Sequence, residues 1–279
     1  NTLLTKVLCA LICLTLSVSA SKAADRPNIL LIVADDLGWK DVGYNDGAFK
    51  TPNIDALAKA GVVFTQAYAA AANCQPSRAS LMRGQYTARH GVYAVDSTKR
   101  GPVDEMRLEP VPNKSGLAPA APTIAKAIRS AGYETALFGK WHLGDPRPFH
   151  PIDRGFQHAL LVGGGATGQT PDFWGNTMFD PHLQENGKWK PYKGYMTDIF
   201  VEEALKWIRA EKKPWFCYLP LNAPHVPLQV GEEWSKPYLD AGLPEHLAKF
   251  YGMIANLDSE LGKLLAELAK DPTLPVPRT

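Results

Sequence analysis

The run Asn28-Ile29-Leu30-Leu31-Ile32-Val33-Ala34 ends abruptly in Asp35-Asp36, and that junction constrains the fold more than any other feature of the chain. A continuous apolar run rich in β-branched residues, with no polar alternation, reads as a strand buried on both faces. Such a strand needs a layer of structure on each side of its sheet. Downstream, strand and helix patterns alternate, which favours an α/β layered fold. Thr51-Pro52-Asn53 opens a helix that runs through Ala60 and is closed by Gly61. Residues 62–68 are the next strand candidate. A helix over 123–131, stopped by Gly132, leads into a strand at 134–138, and a helix over 198–209 leads into a strand at 215–221. The helix predicted from about 244 to 270 carries Leu247, Ile254, Leu257, Leu261, Leu264 and Leu268 on one stripe wide enough to require a sheet beneath it. Three prolines after Asp271 argue against a central strand there, so a further strand is expected beyond this chain's last helix. The Gly-, Pro- and aromatic-rich stretch from 144 to 195 reads as a long functional surface excursion. One domain is expected.

Composition limits the partners. Lys+Arg 30 against Asp+Glu 28 in 279 residues leaves a formal charge of +2, so no global field points to nucleic acid or to an anionic membrane. Hydrophobic residues at 45% and charged residues at 21% argue against wholesale disorder. Four cysteines are too few for a disulfide framework. Lys6, the apolar run over 7–16 and the small residues that follow read as a signal peptide spanning 1–24. That run falls well short of the ~20 apolar residues a membrane span needs. The expected product is an exported protein over 25–279 without stable membrane insertion, keeping only Cys74 and Cys217.

Chemistry gathers where the strands end. The first strand exits into Asp35-Asp36. The small-residue loop after the second carries Cys74-Gln75-Pro76-Ser77-Arg78, the third leads into Gly139-Lys140-Trp141-His142, and the fourth into Ala223-Pro224-His225. Ligands of open α/β sheets sit at the carboxyl ends of strands, so these segments are expected to converge. Asp35 and Asp36 offer hard oxygen donors that suit Ca²⁺ or Mg²⁺ better than zinc; the alternative is a simple turn or cap pair. Two acids fall short of a calcium shell of about six to eight oxygens. With proline at its third position, the cysteine segment can open a helix, placing Cys74 at an N-terminus that favours anions and Arg78 one turn further on. Cys217, mid-strand among apolar neighbours, reads instead as a small hydrophobe.

The run Cys74-Gln75-Pro76-Ser77-Arg78-Ala79-Ser80-Leu81, with Gly84 following, resembles the signature of the formylglycine-dependent, arylsulfatase-like sulfatases of the alkaline-phosphatase-like superfamily. Pro27-Asn28-Ile29-Leu30, Thr51-Pro52-Asn53-Ile54-Asp55, Gly139-Lys140-Trp141-His142-Leu143-Gly144 and Ala223-Pro224-His225-Val226-Pro227 extend it in the same order. The resemblance implies an α/β layered sheet flanked by helices, with this chain as the N-terminal portion of the catalytic domain. It implies hydrolysis of organic sulfate esters, small or carbohydrate, by formylglycine made from Cys74 by a sulfatase-maturing enzyme. Asp35, Asp36 and position 74 would ligate Ca²⁺, with Mg²⁺ as the alternative. Arg78 would bind the sulfate oxygens, Lys140 and His225 would contact the sulfate and the bridging oxygen, His225 or its neighbour would protonate the leaving alcohol, and His142 would act as base in releasing sulfate. Arg83 stands where the signature usually has threonine, while the Cys-x-Pro-x-Arg core is intact. Two further metal ligands, an Asp and an Asn, and a sulfate-binding lysine would follow the last helix. A phosphodiester or phosphonate hydrolase of the same superfamily, and a catalytically silent truncated product, are the competing readings.

Overall fold

The computed structural model describes residues 26–46, 49–99 and 101–270; the expected signal segment lies outside them. The elements that position the site are β1 (Ile29–Asp35), α1 (Pro52–Ala60), α2 (Cys74–Arg83), α3 (Ile124–Ser130), β2 (Glu134–Lys140), β3 (His158–Val162), β4 (His182–Glu185), β5 (Lys188–Pro191), α4 (Met196–Ala210), β6 (Trp215–Pro224), α5 (Glu232–Asp240) and α6 (Glu245–Ala269). They build a mixed α/β layered fold on one six-stranded sheet, in the order β1-β6-β2-β3-β4-β5. The first four strands in that order run parallel, and β4 and β5 close the sheet as an antiparallel hairpin.

The absence of alternation in β1 has a direct structural cause. Leu30, Ile32 and Ala34 pack into a core shared with α4 and α6, beside Phe200, Leu219, Met253 and Leu257. Ile29, Leu31 and Val33 pack into a second core on the opposite face, with Ala79, Met82, Phe156 and Tyr218. Both faces are therefore covered, as in parallel sheets generally. The apolar stripe of α6 lies against α4 and β6, so the sheet already present meets the need for cover read from its sequence.

Two expectations are corrected. Residues 62–68 form no strand: Val62, Phe64 and Tyr68 are mostly exposed, and no strand among the described residues lies alongside to accept their backbone. The stretch from 144 to 195 is more than a surface excursion, since it supplies β3, β4 and β5 and buries Phe156, Leu160 and Met178.

Two close contacts tie distant segments together. Asp258 of α6, buried, accepts the backbone N–H groups of Asn53 and Ile54 and the side-chain amide of Asn53, capping α1 from 204 residues away. The Thr51 hydroxyl donates to Asp55 instead. Gly139 has a φ of 134°, and a Cβ there would lie 2.1 Å from the Pro220 carbonyl oxygen, so only glycine lets β2 approach β6 so closely.

Candidate active site

The exits of β1, β2 and β6 converge with the start of α2. Cys74 is the first residue of α2, behind an extended Asn73, and its Sγ lies 3.2 Å from His142 Nδ1. The unpaired N–H groups of this helix end favour negative charge at position 74. One turn on, Arg78 is buried; Nη1 donates to the Lys140 carbonyl at 2.6 Å and Nη2 to Asp35 Oδ1 at 3.1 Å. Lys140, fully buried at the end of β2, donates from Nζ to Asp35 Oδ2 at 2.5 Å. Burial alone would raise the Asp35 carboxyl, but the charges of Arg78 and Lys140 outweigh it and hold the group below the usual carboxylate range.

His142 and Asp36 both adopt the left-handed backbone region, with φ of 58° and 62°. For non-glycine residues such conformations are held by their surroundings and cluster at functional sites. The ring of His142 sits against Gly165, where a Cβ would come within 2.6 Å of Nε2. Burial first, then the positive charges of Lys140 and Arg78, lower its pKa to about 3. His142 is therefore a neutral imidazole, able to accept a proton beside position 74. His225 follows β6; its Nδ1 donates to the Val226 carbonyl at 2.6 Å, and its Nε2 stands 3.5 Å from Asp36 Oδ2.

All five candidate catalytic residues and both acids thus belong to one cluster, but their arrangement differs from the expected one. Arg78 and Lys140 are turned inward onto Asp35. Asp36, by contrast, has a largely exposed carboxylate. The donor set does not suit a divalent cation as it stands. Each oxygen of Asp35 is already bonded to a cationic side chain, and no group of three or more His, Cys, Asp or Glu among the described residues could hold a metal. Cys217 is buried, and desolvation pushes its thiol up, in keeping with a packing role.

Nothing in the residue pattern singles out Tyr218. It lies within a wholly buried strand, and its hydroxyl is within electrostatic reach of Arg78. An apolar run conceals a polar tip of this kind, because strand patterning reports the ring and not the hydroxyl. Gly165 was equally silent, since a glycine in a glycine-rich loop carries no positional signal until the fold places it.

Comparison with known proteins decides the family: a family model described as Sulfatase matches residues 27–275. The chain belongs to the sulfatase family. It is 30% identical over 264 residues to the N-acetylgalactosamine-6-sulfatase of Homo sapiens, covering 90% of this chain and 48% of that protein. It is 33% identical over 224 residues to the arylsulfatase of Klebsiella aerogenes, covering 77% of this chain and 46% of the relative. The crystal structure of Ps i-CgsB in complex with k-i-k-neocarrahexaose superposes with a TM-score of 0.74 at 33% identity, over 88% of this chain and 55% of that one. This sulfatase chain therefore spans about half the length of the curated relatives it matches.

Proposed function

We propose that this chain carries the nucleophile-bearing part of a sulfatase that hydrolyses organic sulfate esters, with carbohydrate sulfates as the substrate class. The observation behind this reading is the Cys74–His142 pair, 3.2 Å apart at the N-terminus of α2 and backed by Arg78 and Lys140. The name of the human relative and the saccharide bound in the Ps i-CgsB structure favour a carbohydrate. Export, and encounter with a sulfatase-maturing enzyme that converts Cys74, belong to the same proposal.

Converted to formylglycine, position 74 would supply a hydrated aldehyde whose hydroxyl attacks sulfur. The chain's own groups account for the rest. The α2 N-terminus and the buried cations lower the cost of negative charge at position 74. His225, at the rim, is placed to protonate the departing alcohol oxygen. His142, neutral and beside position 74, takes the proton of the second hydroxyl as sulfate leaves. Proton transfers of this kind contribute about 10²- to 10⁴-fold in rate. A Ca²⁺ or Mg²⁺ ion on Asp35 and Asp36 would need Asp35 loosened from Lys140 and more oxygen donors, so no step here is routed through it.

Peptide mass spectrometry across Cys74, after co-expression with a maturing enzyme, tests the nucleophile: a loss of about 18 Da marks conversion and an unmodified thiol removes it. Paired aryl sulfate and aryl phosphodiester assays of the converted protein test the reaction. A phosphodiester preference would replace the sulfatase reading.

A further inference from the structure

The loop after β3 faces two ways. Gly165 packs on the His142 ring, while the Gly164 N–H donates to the Asp145 carboxylate at 2.7 Å. Asp145 in turn lines a separate pocket of 620 Å³, walled by the segment that follows the His142 motif and by the β4–β5 turn. That volume lies within the roughly 300–1,000 Å³ of small-molecule sites.

The pocket is built around one unsatisfied donor. His150 is only 3% exposed, and its Nδ1 accepts the Ile152 N–H at 3.3 Å, which leaves the ring proton on Nε2. Nε2 is buried and has no hydrogen-bond partner among the described residues. A buried donor without an acceptor is destabilising, and an acceptor arriving with a ligand relieves the cost. Gly187 stands beside it, and a Cβ there would lie 3.9 Å from Nε2, in ordinary contact, so a larger side chain at 187 would close over the ring. The rim adds Lys188, exposed and without an ion pair among the described residues, and Arg147, which pairs with Asp153. Gln184 contributes an amide with no side-chain partner among the described residues. Against these donors the pocket holds one acid, Asp145, whose carboxyl is pushed up by burial. A surplus of donors and cations with amide-rich walls selects an anion borne on a hydroxylated ring.

We propose that this pocket is an accessory subsite for an anionic sugar, with the sulfate or carboxylate of the ring received by His150 Nε2 and Lys188. The choice of a sugar rests on the carbohydrate-sulfate reading above; the pocket itself does not. The loop whose Gly165 touches the His142 ring also holds Asp145 through the Gly164 N–H, which ties the pocket to the site.

Binding to the Cys74→Ala chain, measured by calorimetry, separates the two ideas because no turnover is involved. Galactose 6-sulfate, galacturonic acid and galactose are the probes, distinguishing sulfate, carboxylate and neither. At least one anionic probe is expected to bind about 10-fold or more tightly than galactose, as charge-assisted bonds allow. His150→Asn retains an acceptor for the Ile152 N–H but removes the inward donor, and is expected to weaken that probe about 10-fold. Lys188→Ala, a surface change that leaves folding intact, is expected to weaken it several-fold and to flatten its salt dependence. Equal binding of all three probes, no saturable binding, or indifference to both substitutions overturns the subsite. Binding lost with His225→Ala but not with Lys188→Ala would place the anion at position 74, refuting the subsite while leaving the sulfatase reading untouched.

Discussion

Lys140 Nζ lies 2.5 Å from Asp35 Oδ2, and both side chains are buried at the ends of β2 and β1, the parallel strands that flank β6. Arg78 reaches the other oxygen of the same carboxylate, so one acid holds two cations inside the protein. Asp35→Asn should therefore be the costly change. It leaves two buried positive charges without a counter-ion, and a loss of about 3–5 kcal/mol is expected in urea unfolding, in the range for breaking buried pairs. Lys140→Met should cost less, because Arg78 still neutralises Asp35. The double substitution should be less damaging than the sum of the two, with a coupling of at least ~1 kcal/mol. Additive losses would mean that the buried pair contributes no coupling.

His142 is placed to act on position 74 and makes its own 3.2 Å contact there. In the converted protein, His142→Asn should lower kcat for an aryl sulfate by about 10²- to 10⁴-fold with KM little changed, as removal of a proton-transfer group predicts. The melting temperature should move far less than for Asp35→Asn, because among the described residues the imidazole bonds only to the group at position 74. A large rise in KM with kcat intact would instead assign His142 to binding.

What could be read from the sequence follows from what each signal reports. The uninterrupted apolar run 28–34 could be decoded because burial on two faces leaves a one-dimensional trace. So could the clustering of Asp35, Lys140, His142 and His225, since the carboxyl ends of parallel strands must share an edge; Cys74 joins them from the start of α2, with no strand before it. The direction of Arg78 and Lys140 was not visible. Spacing put both near Cys74, but only the fold shows them spent on Asp35. The strand expected at 62–68 failed for a related reason: strand formation needs a neighbour, and apolar alternation cannot say whether one is present. The hairpin at 182–191 was hidden because Lys188 to Pro191 alternate charged and neutral residues at an exposed edge.

Gly139 gives a sharper test of the strand geometry. A Cβ at this position would lie 2.1 Å from the Pro220 carbonyl oxygen, which is backbone and cannot swing away, and the φ of 134° is itself unfavourable for other residues. Gly139→Ala should destabilise the protein by ~3 kcal/mol or more and displace Lys140 from Asp35. Gly84→Ala offers the comparison: its φ of 61° is strained, yet nothing lies within 4 Å of the added carbon. It should cost only about 1 kcal/mol. Equal melting temperatures for the two variants would contradict the close approach of β2 and β6.

Four histidines set the acid limb of stability. His90, His142, His150 and His158 all have lowered pKa values, and in each case burial is the leading cause. Each takes up its proton at a lower pH in the folded chain than the roughly 6.5 at which it does so once unfolded. The unfolded state therefore binds more protons as the pH falls below that value, and stability must fall with it. Above pH 6.5 these groups contribute no slope; below it, each adds up to ~1.4 kcal/mol per pH unit until its folded pKa is reached. His90 isolates the effect away from position 74. Its Nδ1 accepts the Val92 N–H, and its Nε2 lies 3.0 Å from Ser80 Oγ inside the α2 packing. His90→Gln should lower stability at pH 7.5, where those bonds are lost, yet give a shallower decline between pH 6.5 and 5. Chemical unfolding at four or five pH values is the measurement. Parallel curves for the two proteins would show that His90 titrates alike in the folded and unfolded chain.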